Sequence, residues 1–201
     1  MRIVVINHLT LDGVTQAPAA ADEDPRGGFP YGGWEIPYGD EVMMQSLGFG
    51  GAPNGPDNSA SSGGGLLLGR RTYDQFYSVW PKRTDNPFSE VLNRTQKYVV
   101  SRKLREPLPW TNSTLLQGDA TESVAKLKQQ PGERLVVLGS GELVQSLQRA
   151  ALVDEYLLLI HPLILGTGRR LFAEGSAYSK LQLVETKTNS KGVIIATYRS
   201  T

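Results

Sequence analysis

The sequence predicts an α/β domain in which a mostly parallel central sheet carries helices on both faces and ends in an antiparallel hairpin. Three observations predict it. Strand-like and helix-like segments alternate along the chain as far as Phe172, the order of parallel strand–helix units. At Arg134 to Arg149 a β-branched run passes through Gly139-Ser140-Gly141 straight into residues spaced as one helix face (Leu143, Val144, Leu147). Leu181 to Thr188 and Val193 to Tyr198 read as two strands joined by the turn Asn189-Ser-Lys-Gly192, a hairpin. No internal repeat is present and no linker leads to a second core, so the 201 residues form a single domain.

Each element has a local reason. Arg2 to Leu9 is rich in Ile and Val and reads as a central strand; Thr10-Leu-Asp-Gly-Val14 breaks it with an Asp-Gly turn. Residues 18 to 37 are rich in Gly, Pro, Ala and acids, with Phe29, Tyr31 and Trp34 embedded. A loop this long is functional or disordered, and three aromatics argue against disorder. Asp40 to Leu47 reads as a helix with Asp40 as N-cap and Val42, Met43, Met44 and Leu47 apolar. Residues 48 to 65 form a second irregular insert, dense in Gly, Ser, Asn and Pro, expected to be mobile or a surface excursion. Leu66-Leu-Leu68 is a buried strand that Gly69-Arg-Arg-Thr-Tyr-Asp-Gln-Phe76 turns into a helix. Asn86 to Arg94 suggests a short helix, Lys97 to Val100 a strand, and Ser101-Arg-Lys103 a polar turn. Leu115-Leu116 is a short strand and Ala120 to Gln129 an amphipathic helix. Val153 to Leu165 reads as a strand bearing His161 and Pro162, followed by the glycine-and-arginine turn Gly166 to Phe172.

Totals exclude several classes of function. The net charge of +1 gives no electrostatic case for a nucleic-acid or membrane surface. Cysteine is absent, which removes disulfides, thiolate nucleophiles, thiolate zinc sites and iron–sulfur clusters. With only His8 and His161, a histidine-based metal site is not expected either. No apolar run approaches membrane length and no signal region opens the chain, so a cytoplasmic protein is the expectation.

The strand–turn–helix at Gly139-Ser140-Gly141-Glu142 carries chemistry. The first helical turn has unpaired N–H groups at the positive end of the helix dipole, and glycines let a phosphate approach the backbone. A dinucleotide pyrophosphate fits there; a plain tight turn is the alternative. Gly69-Arg70-Arg71-Thr72 is a second strand-to-helix junction with two guanidinium groups. Ser101 and Arg102, with Lys103 beside them, end a strand with a hydroxyl and cations. Such clusters suit the dianionic 2′-phosphate that distinguishes NADPH from NADH, with solvated surface charge as the alternative. Asn7 and His8 alternate on the first strand, so at most one is expected to face a cleft.

Taken together, Thr10-Leu-Asp-Gly13, Leu67-Leu-Gly-Arg-Arg-Thr-Tyr73, Val99-Val-Ser-Arg102, Val137-Leu-Gly-Ser-Gly-Glu142, Leu152-Val-Asp-Glu-Tyr156 and Pro162-Leu-Ile-Leu-Gly-Thr-Gly-Arg-Arg-Leu-Phe172 resemble the dihydrofolate reductase-like fold. The similarity is to its branch formed by the C-terminal reductase domain of the bacterial riboflavin biosynthesis protein, the RibD C-terminal domain family. The resemblance implies a mixed sheet of about eight strands, with NADPH across the carboxyl ends of the strands. It implies cofactor contacts from Gly69, Arg70, Arg71, Thr72, Ser101, Arg102, Gly139, Ser140, Gly141 and Glu142, and a homodimer through the sheet edge. Asp12 becomes a polar group near the nicotinamide or substrate, with a plain Asp-Gly turn as the alternative. Asp40 and Glu41 are candidates for the carboxylate that assists protonation in dihydrofolate reductases, although Asp40 is also a good N-cap. Asn7, Trp34 and Arg169 are substrate-side candidates; the aromatic loop is either a lid over a flat heterocycle or an anchor.

The expected activity is hydride transfer from NADPH to a small pterin- or pyrimidine-like heterocycle, or to a carbonyl or imine. A non-catalytic NADP-binding protein, a dihydrofolate reductase proper and a structural protein whose glycine turns are only turns are the rivals. The zinc deaminase often fused to this domain in the riboflavin pathway is missing, since no cysteine is present.

Overall fold

The structure, a computed structural model, describes residues 1–47, 65–84 and 87–201. The insert expected over 48–65 lies outside the described residues except for Gly65. Among the described residues there are eight strands: β1 (Arg2–Thr10), β2 (Gly65–Gly69), β3 (Lys97–Val100), β4 (Ser113–Leu116), β5 (Arg134–Leu138), β6 (Glu155–His161), β7 (Leu181–Thr188) and β8 (Ile194–Ser200). The described helices are α1 (Glu41–Ser46), α2 (Arg70–Val79), α3 (Pro87–Arg94), α4 (Ala120–Lys128) and α5 (Gly141–Arg149). The sheet order is β4-β3-β2-β5-β1-β6-β8-β7. The first six run parallel; β8 joins β6 antiparallel and β7 joins β8 the same way.

This is the mostly parallel, mixed sheet with a C-terminal hairpin that the sequence predicts. The strand expected over 153–165 is shorter, ending at His161, because Pro162 has no N–H to continue a ladder. β7 is an edge strand exposed along its length.

β1 is buried from Ile3 to Ile6 because both of its faces are covered. Ile3 and Val5 pack with Val124 and Leu127 of α4 and with Leu143, Val144 and Leu147 of α5. Val4 and Ile6 pack on the opposite layer with Met43 of α1, Tyr73 of α2 and Leu92 of α3. The alternation within one strand thus feeds two cores, one per face. Among the described residues, no helix is long and apolar enough to cross a membrane.

The segment 18–37 is ordered by a third, smaller cluster. Phe29 and Trp34 are buried with Val14 and Ala17 against Leu163 and Leu165, and Trp34 donates its indole N–H to the Gln16 carbonyl at 2.8 Å. Of the two roles open to the aromatics, Phe29 and Trp34 anchor the loop, and Tyr31 stays exposed.

Candidate active site

The carboxyl ends of β1 and β5 open, with the start of α2, on a cavity of about 770 Å³. Its floor is the turn after β5. Gly139 and Ser140 both take positive φ, +58° and +51°, which reverses the chain within two residues and starts α5 at Gly141. Ser140, the unusual non-glycine there, is held on both sides. Its Oγ accepts the Gly69 N–H at 3.0 Å, and its own N–H donates to Thr72 Oγ1 at 3.2 Å. That hydroxyl is therefore spent, and α5 has no side-chain N-cap. The first-turn N–H groups of α5 are left for a ligand. The cradle is open: a Cβ on Gly141 would meet only Thr15 Cγ2, at 3.6 Å, and one on Gly139 only Thr72, at 3.6 Å or more. Asn7 Nδ2 donates to the Gly139 carbonyl at 3.0 Å while its Oδ1 accepts from Thr15 Oγ1 at 3.0 Å, tying β1 to the same turn.

Above this floor, three arginines share one carboxylate. Glu142 receives Arg71 at 2.8 and 2.9 Å, Arg26 at 3.0 Å and Arg169 at 3.4 Å. Burial by itself would raise the Glu142 carboxyl, but the Arg26 hydrogen bond and the charges of Arg71, Arg26 and Arg169 outweigh it and hold it below the usual range. Arg26 also pairs with Asp24 at 2.5 Å. Three guanidinium groups against two carboxylates leave local positive charge beside an uncapped helix start, an environment that favours an anion. Arg169 is set in place by its backbone, whose N–H donates to Gln16 Oε1 at 3.0 Å and whose carbonyl accepts from Thr15 N at 2.9 Å.

Of the residues singled out in the sequence, Asn7, His8, Arg71, Thr72, Gly139, Ser140, Gly141, Glu142 and Arg169 line this cavity. The others lie elsewhere, each for a visible reason. Asp12 clasps the loop after β6: its carboxylate accepts from Thr10 Oγ1 at 2.6 Å, Gly166 N at 2.9 Å and Leu165 N at 3.2 Å. Gly69 gives its N–H to Ser140, and Arg70 pairs along its own helix with Asp74 at 2.8 Å. Ser101 turns its hydroxyl back on the N–H groups of Lys103 and Leu104, at 3.0 and 3.1 Å. Arg102 is exposed, 3.6 Å from Asp119, at the end of β3. Trp34 is the loop anchor described above.

Neither acid proposed for protonation reaches the cavity wall. Asp40 caps α1 through Met43 N at 3.0 Å and holds Ser190 N and Oγ at 2.9 and 2.8 Å. Those bonds, the Met43 amide first, bring its carboxyl down to about 2. Glu41 is exposed and bonds Gln45 at 3.1 Å. Asp40→Ala is expected to lower stability by removing the cap of α1 and to leave any stabilisation by NADPH unchanged. Chemical denaturation beside ligand-induced thermal shift checks both; a lost NADPH shift with unaltered stability would return Asp40 to the site.

Sequence reasoning expected at most one of Asn7 and His8 to face the cleft, yet both line it. The cavity meets β1 at three consecutive residues, Ile6, Asn7 and His8, so residues of both strand faces contribute to its lining. His8 there meets two partners from distant segments. His8 Nδ1 is 2.5 Å from Glu35 Oε2 and 3.0 Å from His161 Nε2. Trp34 and Tyr38 place ring edges against His161 at centroid distances of 5.0 and 5.4 Å. His161 is fully buried, and that burial, with the neighbouring His8, lowers its pKa to about 4. Among the described residues this is the one cluster of three potential metal-ligating groups, its donor atoms within 4.8 Å of one another. Two histidines near the ends of adjacent strands were the available signal; nothing local marks Glu35.

The RibD C-terminal domain family matches residues 2–195 of this chain. Two relatives come from Bacillus subtilis strain 168. The uncharacterized protein YyaP is 31% identical over 137 residues, 66% of this chain and 72% of its own. The uncharacterized protein YwjB is 32% identical over 80 residues, 40% of this chain and 46% of its own. Among solved structures, a putative riboflavin biosynthesis protein from Shewanella sp. PV-4 superposes with a TM-score of 0.68 at 20% identity, over 100% of this chain and 99% of the other. A pyrimidine reductase-like protein from Corynebacterium diphtheriae gives 0.60 at 11% identity, over 100% and 92%. Dihydrofolate reductase from Enterococcus faecalis, complexed with NADP(H) and RAB-propyl, gives 0.56 at 12%, over 99% and 96%. At these identities the structures establish the fold: dihydrofolate reductase-like.

Proposed function

The chain belongs to the RibD C-terminal domain family, and from that premise we propose that it is an NADPH-dependent reductase of a small pterin- or pyrimidine-like heterocycle, or of a carbonyl or imine. The observation that carries this reading is the uncapped first turn of α5, opening on the cavity behind Gly139-Ser140-Gly141 with Arg71, Arg26 and Arg169 beside it. The residues fit a dinucleotide: the Gly139 and Gly141 cradle has room for phosphate oxygens, and the N–H groups that would bind them have no cap to displace. Bound there, the reduced nicotinamide would supply the hydride.

The chain's own work is binding, alignment and exclusion of water. Gly141, Glu142 and Leu143 offer backbone N–H groups to the pyrophosphate. Arg71 and Arg169 are positioned to exchange part of their pairing with Glu142 for phosphate or an anionic substrate group. Asn7 fixes the floor by bonding Gly139 and Thr15, so the reacting groups meet in a set geometry. Ser101 and Arg102, at the end of β3 and outside the cavity, would receive the 2′-phosphate. Arg102 is mostly exposed and its Asp119 contact is long, so it is free to turn towards a ligand.

The test is a thermal-shift comparison of NADPH with NADH, followed by loss of NADPH absorbance with a panel of dihydropterins, aminopyrimidinones and simple imines. NADPH is expected to stabilise more than NADH, and Arg102→Ala to narrow the difference. Equal shifts with the two cofactors would remove the assigned 2′-phosphate contact. A shift with NADPH but no oxidation by any acceptor favours the non-catalytic binding reading.

A further inference from the structure

We propose that His8 is the proton donor of the reduction, delivering its proton from Nε2, with Glu35 and His161 as positioning residues. The inference deepens the reductase reading and rests on it. Reducing a C=N or C=O bond needs a hydride at carbon and a proton at the attached nitrogen or oxygen. The reduced nicotinamide gives the hydride and leaves oxidised; His8 gives the proton from Nε2, leaves as a neutral imidazole, and regains a proton from solvent.

Elimination among the titratable groups of the cavity wall supports the choice. Arg26, Arg71, Arg169 and Arg170 do not give up protons in proteins. Asp24 and Glu142 are held ionised: burial opposes this, but their arginine partners outweigh it. Asp74 is paired with Arg70. Glu23 is the one carboxyl on the wall shifted upward, by burial; its Oε2 is engaged by the N–H groups of Ala19 and Ala20 at 2.7 and 3.3 Å, bonds that hold the loop. Glu174 is exposed and Glu35 is turned to His8 Nδ1, which leaves His8 as the titratable wall group with supports behind it.

The supports act on one ring nitrogen. Nδ1 faces both Glu35 Oε2, at 2.5 Å, and His161 Nε2, at 3.0 Å. An oxygen and a nitrogen 2.5 Å apart need a proton between them, and under this proposal it sits on Nδ1 with Glu35 Oε2 as its acceptor. His8 lines the cavity, and with Nδ1 turned to Glu35 and His161 it is Nε2 that, under this proposal, is presented to that space. A carboxylate holding one imidazole nitrogen while the other does the proton chemistry is the logic of acid–base dyads generally. His8 also follows Asn7, which bonds the Gly139 carbonyl, so acid and dinucleotide turn are set by consecutive residues of one buried strand. The groups facing His8 are Glu35 from the loop and His161 from β6, with Glu23 further along the loop and coupled to Glu35.

The same three groups could be read as a metal site, but the distances speak for a shared proton. Ligands about 2.0–2.1 Å from a tetrahedral zinc stand roughly 3.3 Å apart, whereas Glu35 and His8 approach to 2.5 Å.

Two measurements test the proposal. The first needs no acceptor: nitrogen-15 NMR of the histidine side chains in the intact protein, titrated through the neutral range. Neutral His8 is expected to carry its proton on Nδ1 and leave Nε2 bare, and Glu35→Gln to shift neutral His8 towards the other tautomer. A neutral His8 with a bare Nδ1 overturns the arrangement, and so does a Zn2+ equivalent that displaces the Nδ1 proton. The second is turnover with an acceptor from the panel above. His8→Gln is expected to lower kcat about a hundredfold or more with the NADPH thermal shift retained, while Glu35→Gln moves the acid limb of the kcat profile. Wild-type turnover in His8→Gln, or the loss appearing instead in Glu23→Gln, overturns the assignment and leaves the reductase reading standing. A wild-type protein that shows no NADPH shift ends both.

Discussion

Gly141→Val is expected to abolish stabilisation by NADPH while the protein stays folded. Gly141 opens α5 with ordinary helical backbone, since its φ is not among the positive ones, so a side chain there carries no backbone strain. A Cβ would sit 3.6 Å from Thr15 Cγ2, an ordinary contact, so the added atom itself has room. The two further methyl carbons of valine have to occupy the space over the first-turn N–H groups, where the pyrophosphate would lie. Binding lost at ligand concentrations about 100 times the dissociation constant removes roughly 2.7 kcal/mol of apparent stability. Gly141→Ala, with a single carbon, should retain part of the shift. A folded Gly141→Val protein with an undiminished NADPH shift would take the turn out of the cofactor site.

The second large effect is on stability against pH. His161 is fully buried, and burial first, then the charge of His8, lowers its folded pKa to about 4 from an ordinary 6.5, with Glu35 opposing. Between those values the unfolded chain binds the proton and the folded one does not. Stability therefore rises with pH across that window, is complete above about 6.5, and is lost as pH falls towards 4. The shift corresponds to about 3 kcal/mol. Glu23 works in the opposite sense, because burial raises its folded pKa, so the total slope is smaller than His161 alone would give. The readout is consequently a difference. His161→Gln, which keeps an amide where Nε2 lies, should be less stable than the parent at pH 7 and should close that gap as the pH approaches 4. Parallel stability curves for the two proteins would mean that His161 does not titrate in this way.

How far the sequence reaches is seen residue by residue. The alternation of Ile3, Val4, Val5 and Ile6 within one apolar run, with helical spacing at Leu143, Val144 and Leu147, is enough to call for a sheet covered on both faces. The two-residue reversal at Gly139-Ser140 was legible because glycine at a strand end beside a helical pattern has few uses. Arg71, Thr72 and Arg169 were found because cations and hydroxyls at strand-to-helix junctions stand out locally. Asp12 and Asp40 were equally prominent, and the structure gives both to loop clasps and caps: a short carboxylate beside unpaired backbone N–H groups satisfies those first.

Glu35 and Arg26 carried no local mark. Their place at the cavity depends on the burial of Phe29 and Trp34, which draws residues 18–37 over the end of β1. The sequence by itself determined the layers and the strand–turn–helix corners, because these follow from periodicity and backbone chemistry over a few neighbouring residues. Only the tertiary structure decided that Glu35 and His161 converge on His8 Nδ1 and that Arg26, Arg71 and Arg169 share one carboxylate. Such meetings join groups up to 153 positions apart, and they are set by which cores bury together, a property of the whole chain that no short window contains.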